Sequence, residues 1–221
     1  MELSQALYTT RAMRRVKPDP IPDDVLAKLL DAAVRAPSGG NTQSWRFLLV
    51  SDPAKRVALQ KMYREGLTDL NATKYKAVMD LIKEGDPTDP EVIQAKKTNA
   101  SAEWLADNLH LVPTLLFAWG KPNGESSIYP ALWSLQLAAT AEGIGTSLTT
   151  LLFKNHTQQV LELLGAPEPG VWVPMAMITL GYPKLAVGVL RNVSRHMRSP
   201  SKTHGEILFR GELKSHSGSS V

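Results

Sequence analysis

Three short apolar runs are the only clear strand candidates in this sequence: WRFLLV at Trp45–Val50, PTLLFAW at Pro113–Trp119 and VWVPMAMITL at Val171–Leu180. Turn formers bound them, with SDP following the first run and GYP following the third, which marks buried strands. The intervals between them read as helix. Asp23–Arg35 follows Pro22 and sets Val25, Leu26, Leu29, Leu30, Ala33 and Val34 on one face, and Pro37 with two glycines stops it. Helical patterns resume from Lys55, and Tyr129–Glu142 reads as a buried helix rich in Ala and Leu. Between Leu67 and Leu111 the chain is polar and charged, broken by Gly85, Pro87 and Pro90, so this stretch is an excursion of loosely jointed helices away from the core. Few strands separated by many helices give an α/β or α+β sandwich around a small sheet. Too few parallel crossover units are visible for a doubly wound nucleotide fold. Neither GxGxxG nor GxxxxGK[ST] occurs, so a bound phosphate must be held by side chains.

Composition narrows the chemistry further. The 221 residues, 43% of them apolar, suit one domain. The formal charge of +4, from 25 basic and 21 acidic residues spread along the chain, favours an anionic ligand over nucleic acid. Without cysteine there are no disulfides, no thiolate chemistry and no Cys-based metal site, so any redox work belongs to something bound. The five histidines show no ligand-like pairing, and HExxH is absent. The N-terminal MELSQALYTTRAMRR lacks the apolar core of a signal peptide, and no run approaches the roughly 18 apolar residues of a membrane span. A cytoplasmic protein without a membrane partner is the expectation.

Three stretches carry candidate chemistry. In TTRAMRRVKPDP, Thr9–Pro20, the residues Arg11, Arg14 and Arg15 fall close together, and guanidinium forks match phosphate oxygens two at a time. The same cluster also reads as a solvated charged face. Arg195 and Arg198, in SRHMRSP, either close on the same anion or lie on the surface. In APSGGNTQSWRF, Ala36–Phe47, Ser38, Asn41 and Gln43 offer donors and acceptors to the edge of a flat heteroaromatic ring, and Gly39 and Gly40 allow close backbone approach. A polar helix-to-strand turn, with Ser and Asn bonding their own backbone, accounts for it equally. In GIGTSLTTLLF, Gly143–Phe153, backbone donors and hydroxyls beside Leu148 and Leu151 suit one wall of a flat ring. The alternative there is a helix cap at Gly143 leading into another buried element.

Taken in order, the Arg cluster, APSGGNTQSWRF, the helix ending in GIG, the GYP turn and the late RSP resemble the nitroreductase family of flavoproteins, from about Thr9 to about His204. The resemblance implies an α+β three-layer sandwich, a small central mixed or antiparallel sheet flanked by helices. It also implies an intertwined homodimer with one FMN in each of two interfacial sites. Residues 1–221 would form one domain, with the excursion at about 67–111 as a lid over the flavin. Arg11 and Arg15, with Ala12 and Met13 alongside, would grip the FMN phosphate, and Arg198 would complete that pocket. Pro37, Ser38, Gly39, Asn41 and Gln43 would follow the ring and ribityl chain, and Leu148, Thr149, Thr150 and Leu151 would supply donors near N5. No side-chain base and no metal is required. The implied activity is FMN-dependent NAD(P)H oxidation, with hydride passing through flavin N5 in a ping-pong cycle to a nitroaromatic, a quinone or a similar small oxidant. Tyr75, Trp104 and Tyr129 are candidates either for stacking on such a substrate or for packing against helices. Reductive dehalogenation, desaturation and flavin storage are the alternatives. Three departures from the family pattern are visible. Thr10, Arg11, Ala12 and Met13 stand where paired arginines and a Ser are common, which leaves the division of labour among Arg11, Arg14 and Arg15 open. Ser44 replaces a frequent Pro, and the tail runs GEILFRGEL rather than being Trp-rich.

Overall fold

The central strand of the sheet is apolar at nearly every position, because helices cover both of its faces. A computed structural model describes residues 1–165 and 170–184 of the chain. In chain order its elements are α1 (Leu3–Thr9), α2 (Asp23–Val34), β1 (Trp45–Val50), α3 (Pro53–Ala72), α4 (Lys76–Glu84) and α5 (Pro90–Asn108). They continue with β2 (Thr114–Gly120), α6 (Glu125–Ala141), β3 (Gly145–Thr149), α7 (Leu152–Asn155), α8 (Thr157–Leu164) and β4 (Val173–Gly181). The strands form one antiparallel sheet in the order β1-β2-β4-β3. Every residue of β2 is buried. Its alternation sends Leu115, Phe117 and Trp119 to one face, against α3, α5, α7 and α8, and Leu116 and Ala118 to the other, against α2 and α6. The expected three layers are therefore present, with the sheet antiparallel throughout.

Local chemistry sets the boundaries. Pro53 and Pro90 occupy the first turns of α3 and α5, and the N-cap carboxylates of Asp52 and Asp89 accept from Lys55 N at 2.9 Å and Glu91 N at 2.7 Å. Pro174 sits in β4 opposite Trp119, next to a register shift that leaves Met175 without a partner. A proline is tolerated in an inner strand at such a bulge. The α6 helix starts a turn earlier than the sequence suggested. Ser127 N and Ile128 N both bond to Gly124 O before Pro130 arrives, so the proline costs one interior bond and not the helix start. At its other end Gly143, with φ 75°, donates to Thr140 O while Ile144 donates to Ala139 O, a left-handed cap that turns the chain directly into β3.

Candidate functional site

The Arg-rich segment is laced to β3 and to the chain leaving β4. Met13 N donates to Thr146 O at 2.7 Å, Lys17 N to Tyr182 O at 2.7 Å and Lys184 N to Arg15 O at 2.8 Å. Ala12 bridges Thr146 in parallel, and Val16 bridges Pro183. Gly145 makes this approach possible, because a Cβ there would stand 2.8 Å from Met13 Cβ and 3.1 Å from Pro183 Cγ. Arg11 and Arg15 are exposed, and neither pairs with a carboxylate among the described residues. Arg11 Nε makes only a weak contact with Met13 Sδ at 3.4 Å. Arg14 differs from both. It is half-buried and turns inward, with Nη1 3.5 Å from Ser101 Oγ on α5. Thr10, which occupies the first departure from the family pattern, donates its hydroxyl to Ala6 O at 2.7 Å and lies 2.8 Å from the Thr140 hydroxyl on α6.

Further along the same edge strand, Leu148 and Thr149 are half-buried, Thr150 is exposed and Leu151 is buried. Leu151 N donates to Thr149 Oγ1 at 3.2 Å, fixing the turn out of β3. Thr146 and Thr149 lie three residues apart on one strand, about 10 Å. The Arg segment and the strand tip are thus within reach of one elongated ligand. Tyr63, on α3, ends beside this pair. Burial pushes its phenol above the usual tyrosine range, while the nearby Thr149 hydroxyl and the charge of Arg14 pull the other way. Nothing in the sequence pattern singled out Tyr63, whose spacing is that of an ordinary core residue.

The polar loop lies elsewhere. Ser38 Oγ accepts from Gln43 N at 3.0 Å, Gln43 Nε2 donates to Asn41 Oδ1 at 3.2 Å, and Gly39 N donates to Ser127 Oγ at the start of α6. The loop therefore does bond its own backbone, as the plainer reading of its sequence had it. Yet Gly40, Asn41 and Gln43 all take positive φ, at 58°, 53° and 49°. Glycine and asparagine adopt left-handed backbone readily, but at Gln43 it costs about 1–3 kcal/mol, and such residues cluster at ligand-binding segments. Pro37, Gly39, Asn41 and Gln43 are exposed, Ser38 partly so. This loop enters β1 where Trp45 pairs with Gly120 and Gly120 with Val173, whereas the Arg segment joins β3 where Thr146 pairs with Leu180. Three interstrand steps of about 4.8 Å and seven residues at about 3.3 Å separate these corners, roughly 27 Å on the diagonal. Within one chain, the two predicted halves of the site do not meet.

The helical excursion is unevenly held. The α5 helix buries Val92, Leu105 and Ala106, and α3 grips it through Arg64, which bonds Glu103 and Asp107, and through Gln60, whose Nε2 donates to Ala106 O at 2.9 Å. The α4 helix has no buried residue. Of the aromatic candidates, Trp104 is half-buried with Lys184 Nζ 5.3 Å from its ring, and Tyr129 donates to Met175 O at 3.3 Å. Trp104 packs, while Tyr129 and Tyr75, the latter at the start of α4, are exposed. A cavity of about 400 Å³ opens between α3 and α7, lined by Gly66, Asp69, Leu70, Lys74, Leu151 and Lys154 among others, and so touches the strand-tip turn at Leu151. Among the described residues no His, Asp and Glu cluster is arranged for a metal, and no helix is long and apolar enough to cross a membrane. Arg195, Arg198 and GEILFRGEL lie outside the described residues.

A small antiparallel sheet clad by helices on both faces, with cationic side chains rather than a glycine-rich loop near one edge, defines an α+β sandwich. The model of the nitroreductase family matches residues 7–182, and the chain belongs to that family. It is 30% identical over 190 residues to an NADH dehydrogenase of Thermus thermophilus, covering 83% of this chain and 87% of that one. Its fold is shared with a crystal structure of iodotyrosine deiodinase bound to FMN and 3-iodo-L-tyrosine, with TM-score 0.62, 22% identity and 82% and 90% of the two chains covered. A nitroreductase with bound FMN from Bacteroides fragilis superposes over 100% of this chain and 99% of its own, with TM-score 0.59 and 20% identity.

Proposed function

We propose that the protein is an FMN-dependent NAD(P)H oxidoreductase acting on a small aromatic or quinone-like oxidant. The observation that carries this is the contact of the Arg segment with β3, where Ala12, next to exposed Arg11, bridges Thr146 three residues before Thr149, while neither Arg11 nor Arg15 has a carboxylate partner among the described residues. That donor set fits FMN: guanidinium groups suit a phosphate, and a polar strand tip beside apolar Leu148 and Leu151 suits the rim and face of a flat ring. Bound FMN would supply hydride acceptance from a reduced nicotinamide and electron delivery to an oxidant, chemistry that a chain without cysteine lacks. The protein's own part is to hold and orient. Arg11 and Arg15 anchor the phosphate, Thr149, Thr150 and the Leu151 turn fix the ring's height, and Arg14 adds positive charge where charge builds on reduction.

The strained Ser38–Gln43 loop serves the partner's site. A second copy related by a two-fold axis would carry its loop to this chain's Arg segment, joining in two places what one chain keeps apart. Exposed apolar side chains at Leu3, Leu7 and Tyr8 of α1 and at Trp133 of α6 supply the surface for that contact. The α4 helix, without buried residues, is the part of the excursion able to move as a lid. The test is anaerobic titration of the yellow protein with NADH and NADPH, followed by reoxidation with nitroaromatic and quinone substrates. Bleaching and recovery support the proposal, and colour that neither nicotinamide bleaches points to flavin storage.

A further inference from the structure

The cavity between α3 and α7, about 400 Å³, is large enough for a small organic group. Its apolar wall comes from α3 and the strand-tip turn. Gly66 is buried there, and a Cβ on it would stand 3.3 Å from Leu151 Cγ, so the helix meets the turn with no side chain between them. Leu70, half-buried one turn further along α3, continues that wall. The polar lining is unbalanced. Asp69 accepts from Asn155 Nδ2 at 3.1 Å, so its carboxylate is engaged with the end of α7. Lys74, in the link from α3 to α4, and Lys154, on α7, line the same cavity, and neither has a carboxylate partner among the described residues. Two ammonium groups against one engaged carboxylate make the lining net positive. Leu151, which lines the cavity, also donates its N–H to Thr149 Oγ1. Cavity and strand tip therefore share one turn of backbone.

We propose that this cavity receives an anionic substituent of the oxidant, so that the protein favours aromatic substrates carrying a carboxylate over neutral ones. Resting on the FMN reading above, the proposal names the substrate class of that site. The wall at Gly66, Leu70 and Leu151 accepts the edge of an aromatic ring, and Lys74 and Lys154 bring point charges on flexible stems to its carboxylate. A neutral nitroaromatic gains the apolar contact alone.

The experiment compares flavin-loaded wild type with Lys74→Ala, Lys154→Ala and the double variant. Lys28→Ala, on α2 against the other face of the sheet, controls for net charge. Calorimetry measures binding of 4-nitrobenzoate and of neutral 4-nitrobenzamide to the oxidised protein, and steady-state kinetics give kcat and KM for both. Wild type should bind the carboxylate more tightly than the amide. Each single variant should weaken 4-nitrobenzoate by roughly two- to fivefold and the double variant by about tenfold, through KM rather than kcat, with 4-nitrobenzamide unchanged. Added salt should reduce the preference, and Lys28→Ala should keep it. Equal binding of the two probes by wild type, or a double variant that keeps the preference, overturns this inference and leaves the FMN reading standing. A double variant that loses affinity for FMN, NADH or NADPH instead assigns the lysines to those phosphates and overturns it in the same way. Wild-type protein that takes up no FMN overturns both.

Discussion

Gly145→Ala tests whether the Arg segment is held in place by its contact with the sheet. The added methyl would stand 2.8 Å from Met13 Cβ, 3.1 Å from Pro183 Cγ and 3.4 Å from Gly181 O, so it is hemmed in from three sides. Restoring ordinary carbon contacts near 3.8 Å requires the Met13 backbone to retreat by about 1 Å. The Met13 N to Thr146 O bond, 2.7 Å at present, then stretches past the range of a real hydrogen bond. Crowding of this kind costs about 1–3 kcal/mol and the lost bond about 1 kcal/mol. For a chain of this size that is a fall in Tm of roughly 4–16 °C. Arg11, two residues before Met13, moves with the segment, and a 1.4 kcal/mol loss of phosphate contact is about tenfold in FMN affinity. Gly143→Ala is the control. Its Cβ meets nothing within 4 Å, so it carries only the cost of a positive φ of 75°, about 1–2 kcal/mol. Calorimetric titration with FMN should therefore show weakened binding for Gly145→Ala and wild-type binding for Gly143→Ala. A folded Gly145→Ala protein with an unchanged dissociation constant would refute the claim that this contact positions the arginines.

Arg11→Ala and Arg15→Ala should each raise the FMN dissociation constant about tenfold or more without lowering Tm, because both side chains are exposed; fluorescence titration reads the first and thermal melting the second. The raised Tyr63 phenol makes folding stability fall with pH: below about 10 both states hold the proton, whereas above it the unfolded chain releases the proton first. Urea unfolding between pH 9 and pH 11 should show a shallower loss for Tyr63→Phe than for wild type, and equal slopes would exclude the effect. Trp133→Glu, on the exposed face of α6, should shift sedimentation from dimer to monomer and weaken FMN retention with it. A Trp133→Glu dimer, or a monomer that keeps its flavin, would contradict the shared site.

What the sequence made legible follows from how each element is stabilised. Trp45–Val50 was marked as a strand with the bounds the structure has, because a short apolar run between turn formers has few other folds available. The β3 strand, GTSLT, gave no such signal. It is an edge strand held by polar contacts: the buried Thr146 hydroxyl accepts from Gln136 Nε2 at 3.1 Å, and the Ser147 carbonyl accepts from the Thr179 hydroxyl at 3.4 Å. Gly143 was open between a helix cap and a ligand wall, and the structure shows the cap, with the polar stretch beyond it becoming the strand. The α1 helix was missed because only Ala6 of its seven residues is buried, leaving little amphipathic contrast to detect.

The separation of the loop from the Arg segment was illegible for a different reason. Each stretch was read correctly as polar, glycine-bearing or cationic, and the order of motifs along the chain matched the family, but order says nothing about which corner of a sheet a segment reaches. That depends on the strand order β1-β2-β4-β3, and the strand that places the Arg segment, β3, is the one the sequence hid. Once β1 and β3 are known to be opposite edges, the strain at Gln43 changes meaning. A loop serving its own chain's ligand would sit near the arginines and gain ligand contacts to offset that strain. This loop sits a sheet's diagonal away, and the second copy proposed above is what would bring it a ligand to offset that strain. On that proposal, the chemistry at the edge of one subunit depends on the fold of two.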